Sequence, residues 1–97
     1  MILFKAILAE FLGTFFFLSI ILSAVANASI VTPFAVAVGL LAAIFMGGSI
    51  SGGHFNPAVS IMMFAKGNIK ADALILYVLA QIIAGLTALG INMYFIS

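Results

Sequence analysis

The sequence predicts an all-α transmembrane protein with three membrane-spanning helices and one re-entrant half-helix. Three observations predict it. Of the 97 residues, 67% are apolar and only 5% are charged, too little charge to cover a soluble domain, so the apolar excess has to face lipid. Three apolar runs reach the ~20 residues that a helix needs to cross a bilayer. A fourth, 57–65, reaches only about half that length and follows two pairs of glycines.

Span one is expected over about 6–26. Lys5, an apolar run and then Ala24-Val25-Ala26-Asn27-Ala28 have the form of a signal peptide with a small-residue cleavage site. Glu10 counts against that reading, because such a core tolerates charge poorly. So does the rest of the chain, which is as apolar as its start and would leave nothing soluble to export. Span two is expected over about 31–49. Its Gly39, Ala43 and Gly47 recur every fourth residue, a spacing that lets membrane helices approach closely. The short run 57–65, at ~1.5 Å rise per residue, would reach only halfway through a ~30 Å hydrocarbon core. Gly47, Gly48, Gly52 and Gly53 before it favour irregular backbone over helix. Span three is expected over about 71–96, where Ala80, Ala84 and Ala88 repeat the small-residue spacing beside Gln81 and Gly85.

The lysines set an expected orientation. Lys5 stands before span one, and Lys66 and Lys70 stand between the short run and span three. If the short run enters and leaves by one face, all three fall on one side. The positive-inside rule then puts that side and the N-terminus in the cytoplasm, and the C-terminus outside. The loop from Asn27 to Thr32 carries no charge, as an outer loop can.

Asn56-Pro57-Ala58 has the form of a helix start. Proline suits the first helical position, where its missing N–H would have had no partner. Asparagine before it can accept a hydrogen bond from a free amide of the first turn. A short helix beginning there, near mid-membrane, would point its positive dipole end at the bilayer centre. The Asn56 amide would add two N–H donors. That combination suits a pore for neutral hydrogen-bonding solutes and repels cations and protons. Non-helical backbone at that depth is tolerated only inside protein or beside a water-filled cavity. An ordinary Asn-Pro turn between two helices is the bland alternative, and the half-length run that follows argues against it.

Little else in the chain bears chemistry. There are no cysteines, one histidine and two carboxylates. That excludes disulfides, thiolate catalysis and cysteine metal sites, and no metal or cofactor is expected. Three Lys/Arg cannot make a nucleic-acid-binding face. An enzyme would have to use Glu10, His54 and Asp72, which form no evident catalytic constellation. Glu10, inside a span, needs a partner, since burying a carboxylate alone costs several kcal/mol; Thr14 shares its helix face one turn on.

The residues now carry a resemblance. Ala9-Glu10-Phe11-Leu12-Gly13-Thr14-Phe15 resembles the first-helix motif of the major intrinsic protein family, the aquaporins and glycerol facilitators. Ser51-Gly52-Gly53-His54-Phe55-Asn56-Pro57-Ala58-Val59-Ser60 resembles its first NPA loop almost residue for residue, and Ala80-Gln81 matches its third helix. The resemblance implies one inverted-repeat unit of the aquaporin fold. It implies that Asn56 donates to solutes at the pore midpoint, and that Pro57 and Ala58 meet counterparts from a second half-helix. The backbone carbonyls of Gly52, Gly53 and His54 would line the single file as acceptors. Glu10 would brace the loop by accepting its N–H groups. The His54 side chain is itself expected to bind only nearby backbone and do no transport chemistry, rather than to act as a pH sensor.

Family members hold two such repeats, and these 97 residues hold one. The second NPA and the filter arginine that follows it lie outside them; here Val59 follows the motif. The filter position in span two falls on Val36 counting back from Asn56, or on Val38 aligning on Ala37-Val38-Gly39. Either is a small apolar side chain where the family often has an aromatic one. The resemblance therefore implies, besides membrane lipid, a second half-repeat: an inverted copy of this chain or a separate C-terminal-half protein, within a larger oligomer. The expected function is passive conduction of water or a small neutral solute such as glycerol. The competing reading is a non-conducting, truncated or accessory membrane protein that interacts with channel subunits.

Overall fold

The computed structural model describes residues 2–96: α1 (Ile2–Ala26), α2 (Thr32–Ser51), α3 (Pro57–Lys66) and α4 (Ala71–Ile91), the last running into a π-helical turn, Asn92–Ile96. There is no strand among the described residues. The fold class is the all-α one expected. Leu3–Ala26, Thr32–Ser51 and Ala71–Phe95 are long and apolar enough to cross a membrane, and Pro57–Lys66 is a shorter apolar helix.

α1 is the central element. It packs against both α2 and α4, while α3 packs against α4. Lipid tails are as apolar as leucine, so burying apolar surface between these helices gains little; close dispersion contact and hydrogen bonds hold them instead. The small-residue stripes supply the close contact. Gly39, Ala43, Gly47 and Ser51 are the buried residues of α2. A Cβ on Gly39 would lie 3.0 Å from Ile20 Cδ1 of α1, and one on Gly85 of α4 would lie 3.1 Å from Leu18 Cδ1. Tyr77, Ala80, Gln81, Ala84 and Ala88 form the buried stripe of α4.

Two helix ends differ from the sequence reading. α1 begins at Ile2, so Lys5 sits inside its first turns rather than before it; lysine is a good helix former and its exposed ammonium can extend toward water. α2 continues through Gly47 and Gly48 to Ser51. Glycine costs about 1 kcal/mol in a helix interior, but an open backbone in lipid leaves unpaired N–H and C=O groups that cost more. The irregular backbone starts only at Gly52, whose left-handed φ of 94° ends α2 while its N–H donates to Gly48 O at 2.8 Å.

α3 is delimited at both ends by local chemistry. Asn56 is extended (φ −161°, ψ 125°), its side-chain oxygen accepts from Ala58 N–H at 2.8 Å, and Pro57 opens the helix. Gly67 closes it in the left-handed region (φ 93°), donating to the carbonyls of Met63 and Phe64, with Lys66 in the last turn where the helix dipole favours a cation.

Candidate functional site

The segment between α2 and α3, Gly52 to Asn56, crosses the face of α1 that carries Glu10. Glu10 is fully buried. Its Oε2 accepts from Ser51 Oγ at 2.6 Å and from the His54 amide at 3.0 Å. Its Oε1 accepts from the Phe55 amide at 2.8 Å and from Gln81 Nε2 at 2.9 Å. Two donors thus meet each oxygen, at distances typical of charge-assisted bonds. The cost of an isolated intramembrane carboxylate is offset because every partner is a donor.

A second hub lies beside it. Ser60, the buried residue of α3, accepts from Gln81 Nε2 at 2.8 Å and lies 2.8 Å from His54 Nδ1. The Ser60 hydroxyl, with one proton and two lone pairs, can accept from Gln81 and pair with His54 Nδ1 in either ring tautomer. The His54 ring also tilts against Tyr77 (centroids 4.9 Å apart), whose hydroxyl donates to Ser51 O at 2.7 Å. The Gln81 amide orientation is settled by chemistry: reversed, its oxygen would face the Glu10 carboxylate. The His54 side chain therefore binds Ser60 rather than nearby backbone alone.

The loop's hydrogen bonds divide by type. The amides from Gly52 to Phe55 are all used inside the protein: Gly52 on Gly48 O, Gly53 on Ser51 Oγ at 3.2 Å, and His54 and Phe55 on Glu10. The carbonyls of Gly52, Gly53 and His54 accept from nothing among the described residues. Positive φ at Gly52 (94°), Gly53 (66°) and Phe55 (51°) turns the chain so that both conditions hold. Asn56 is exposed. Because its oxygen is held by the Ala58 amide, its two N–H groups are left without a partner among the described residues. This is a short run of acceptors followed by a donor at a helix N-terminus, what a chain of small hydroxylic molecules needs in order to bond in sequence.

The other sequence candidates lie apart. Pro57 is half-buried and Ala58 exposed at the start of α3. Val36 and Val38 sit on α2, far along the helix from the loop; Val36 is half-buried and Val38 is 62% exposed. Asp72 is exposed at the start of α4, where its Oδ1 accepts from the Ala73 amide, and it does not join Glu10 and His54. No group of three metal-ligating side chains occurs among the described residues. Sequence reasoning missed the joint role of Ser51, Ser60, Tyr77 and Gln81. The available signal was that each puts a polar group in an apolar helix, where such groups need partners.

Comparison with known proteins gives one consistent answer. Residues 1–97 match the family model for major intrinsic proteins. The chain is 40% identical to glycerol uptake facilitator protein-like 6 of Lactiplantibacillus plantarum, a match covering 93% of this chain and 43% of that protein. It is 37% identical to a probable aquaporin of the TIP type from Medicago truncatula, covering 87% and 39%. It is 36% identical to aquaporin-10 of Homo sapiens, covering 86% and 31%. The chain thus spans less than half the length of these relatives. No solved structure gives a significant match.

Proposed function

The chain belongs to the major intrinsic protein family, and from that premise we propose that its loop and α3 form one side of a channel for water or a small neutral solute such as glycerol. The observation that carries the reading is the division of the loop: the amides of Gly52, Gly53, His54 and Phe55 are turned in, and the carbonyls of Gly52, Gly53 and His54 are left without partners among the described residues. Non-helical backbone within a membrane is tolerated only inside protein or beside a water-filled cavity, so three unpaired carbonyls in succession call for water or solute at that place. In this reading the carbonyls accept from the file, Asn56 donates to its central oxygen, and Pro57 and Ala58 sit where a second half-helix would meet α3. The positive end of α3 and the Asn56 N–H groups disfavour cations there, which is the basis for ion and proton exclusion. Val36 or Val38 would supply the small apolar filter side chain. The chemistry is passive binding and release, with no catalytic step.

The experiment is osmotic swelling of proteoliposomes containing the chain, followed by stopped-flow light scattering. Permeability above that of empty liposomes is expected once the pore is complete. Asn56→Asp puts a carboxylate where a donor faced the file, and should cut the added permeability by about tenfold, as loss of one well-placed polar group does. Equal permeability of the two proteins would remove Asn56 from the pore. Permeability equal to empty liposomes with every partner supplied would favour a non-conducting, accessory role.

The protein is a multi-pass membrane protein. We propose that its N-terminus is cytoplasmic and its C-terminus outside, on the placement of Lys5, Lys66 and Lys70. A three-helix unit with an exposed Asn56 at a half-helix end cannot enclose a pore by itself, so a second half-repeat has to cover that face. It comes from an inverted copy of this chain or from a C-terminal-half repeat, within a larger oligomer. A C-terminal tag reached by a membrane-impermeant label from one side only would select the C-terminal-half repeat; labelling from both sides would select the inverted copy.

A further inference from the structure

We propose that Phe55 is the positioning residue of the loop: its ring, seated in a socket made by Gly13 of α1 and Gly47 of α2, holds the turn that aims Asn56.

Phe55 is anchored to α1 at two points. Its amide donates to Glu10 Oε1, and its ring lies against Gly13, three residues on and so on the same helix face. A Cβ on Gly13 would lie 2.6 Å from Phe55 Cζ and 2.8 Å from Cδ1; no atom of α2 is among its nearest neighbours. A Cβ on Gly47 would lie 3.3 Å from Phe55 Cζ. The ring therefore requires that Gly13 carry no side chain. Phe55 is 2% exposed. Phe55 is also the only non-glycine residue with positive φ among those described (51°). A bulky residue holds such a conformation only where its surroundings over-determine it. The next residue is Asn56, so the direction of its amide follows from how Phe55 is held.

The effect on flux rests on the pore reading, so the test uses readouts that need none. The full chain in lipid nanodiscs is compared with Gly13→Ala, Phe55→Gly and the double variant Gly13→Ala with Phe55→Leu, by amide hydrogen exchange and by the NMR signals of the Asn56 side-chain amide. Gly13→Ala should speed exchange of the His54 and Phe55 amides by about tenfold, leaving mid-helix amides of α2 and α4 unchanged. It should also shift the Asn56 signals. Leucine lacks Cε1 and Cζ and can rotate its methyls away, so the double variant should return exchange to within about threefold of the parent. Phe55→Gly relieves the backbone strain but removes the ring, and should behave like Gly13→Ala. The proposal fails if Phe55→Gly is as protected as the parent, if the double variant is no better than Gly13→Ala, or if exchange speeds while the Asn56 signals stay in place. A chain that behaves as expected here yet never conducts would sink the pore reading and leave this one standing.

Discussion

Glu10→Gln is expected to destabilise the folded chain by about 3 kcal/mol and to abolish any conduction that depends on the loop. Glutamine matches glutamate in shape but replaces one acceptor oxygen with an NH2 donor. If the NH2 takes the place of Oε2, it confronts the Ser51 hydroxyl and the His54 amide. Ser51 can turn toward Gly47 O, 3.3 Å away, but the His54 amide cannot turn. If the NH2 takes the place of Oε1, Gln81 can flip its own amide to accept, but the Phe55 amide again has no acceptor. Either way one buried backbone N–H is orphaned and the charge-assisted bonds to the rest are weakened. Thermal unfolding in detergent micelles would measure the loss. A midpoint equal to that of the parent would show that Glu10 does not hold the loop.

Gly53→Val should cost about as much, roughly 3 kcal/mol, through backbone geometry rather than hydrogen bonding. Gly53 has φ 66°, a region where a β-branched residue is a rare outlier. A Cβ there would lie 3.2 Å from Gly48 Cα and 3.6 Å from both Ile44 Cγ1 and Phe55 Cε2. Gly48 Cα is part of a helix backbone and cannot swing aside as a side chain can, and the γ-methyls of valine extend further. Relief requires Gly53 to leave the left-handed region, which rotates its carbonyl and pulls the His54 amide off Glu10. The same unfolding measurement, with exchange of the His54 amide, would register it. Gly67→Ala is the useful contrast: its φ is also positive (93°) but nothing lies within 4 Å of its added Cβ. Its cost should be the backbone term alone, about 1 kcal/mol.

How far the sequence could be read follows from how local each signal is. The long helices lie where the apolar runs lie, because in a bilayer a long apolar run has little alternative to helix. The start of α3 was equally readable, since Asn56 and Pro57 act on their own first turn. α2 runs to Ser51, just past the expected end near residue 49, although Gly47 and Gly48 look like helix breakers to any rule that sees only neighbours. Their place in the helix is set by the lipid and, for Gly47, by a ring eight residues away. The polar network was out of reach for a different reason. Glu10, Ser51, Ser60 and Gln81 come from three long helices and α3, and each alone reads as an isolated polar residue.

By itself the sequence determined that the chain is helical, that it lives in lipid, and where its half-length helix begins. Composition, run length and capping are properties of adjacent residues. The tertiary structure alone decided which way the loop faces. That direction depends on the rotation of α1, α2 and α4 about their own axes, which brings Glu10 and Gly13 under the same turn. It turns the amides toward the carboxylate and leaves the carbonyls for whatever passes.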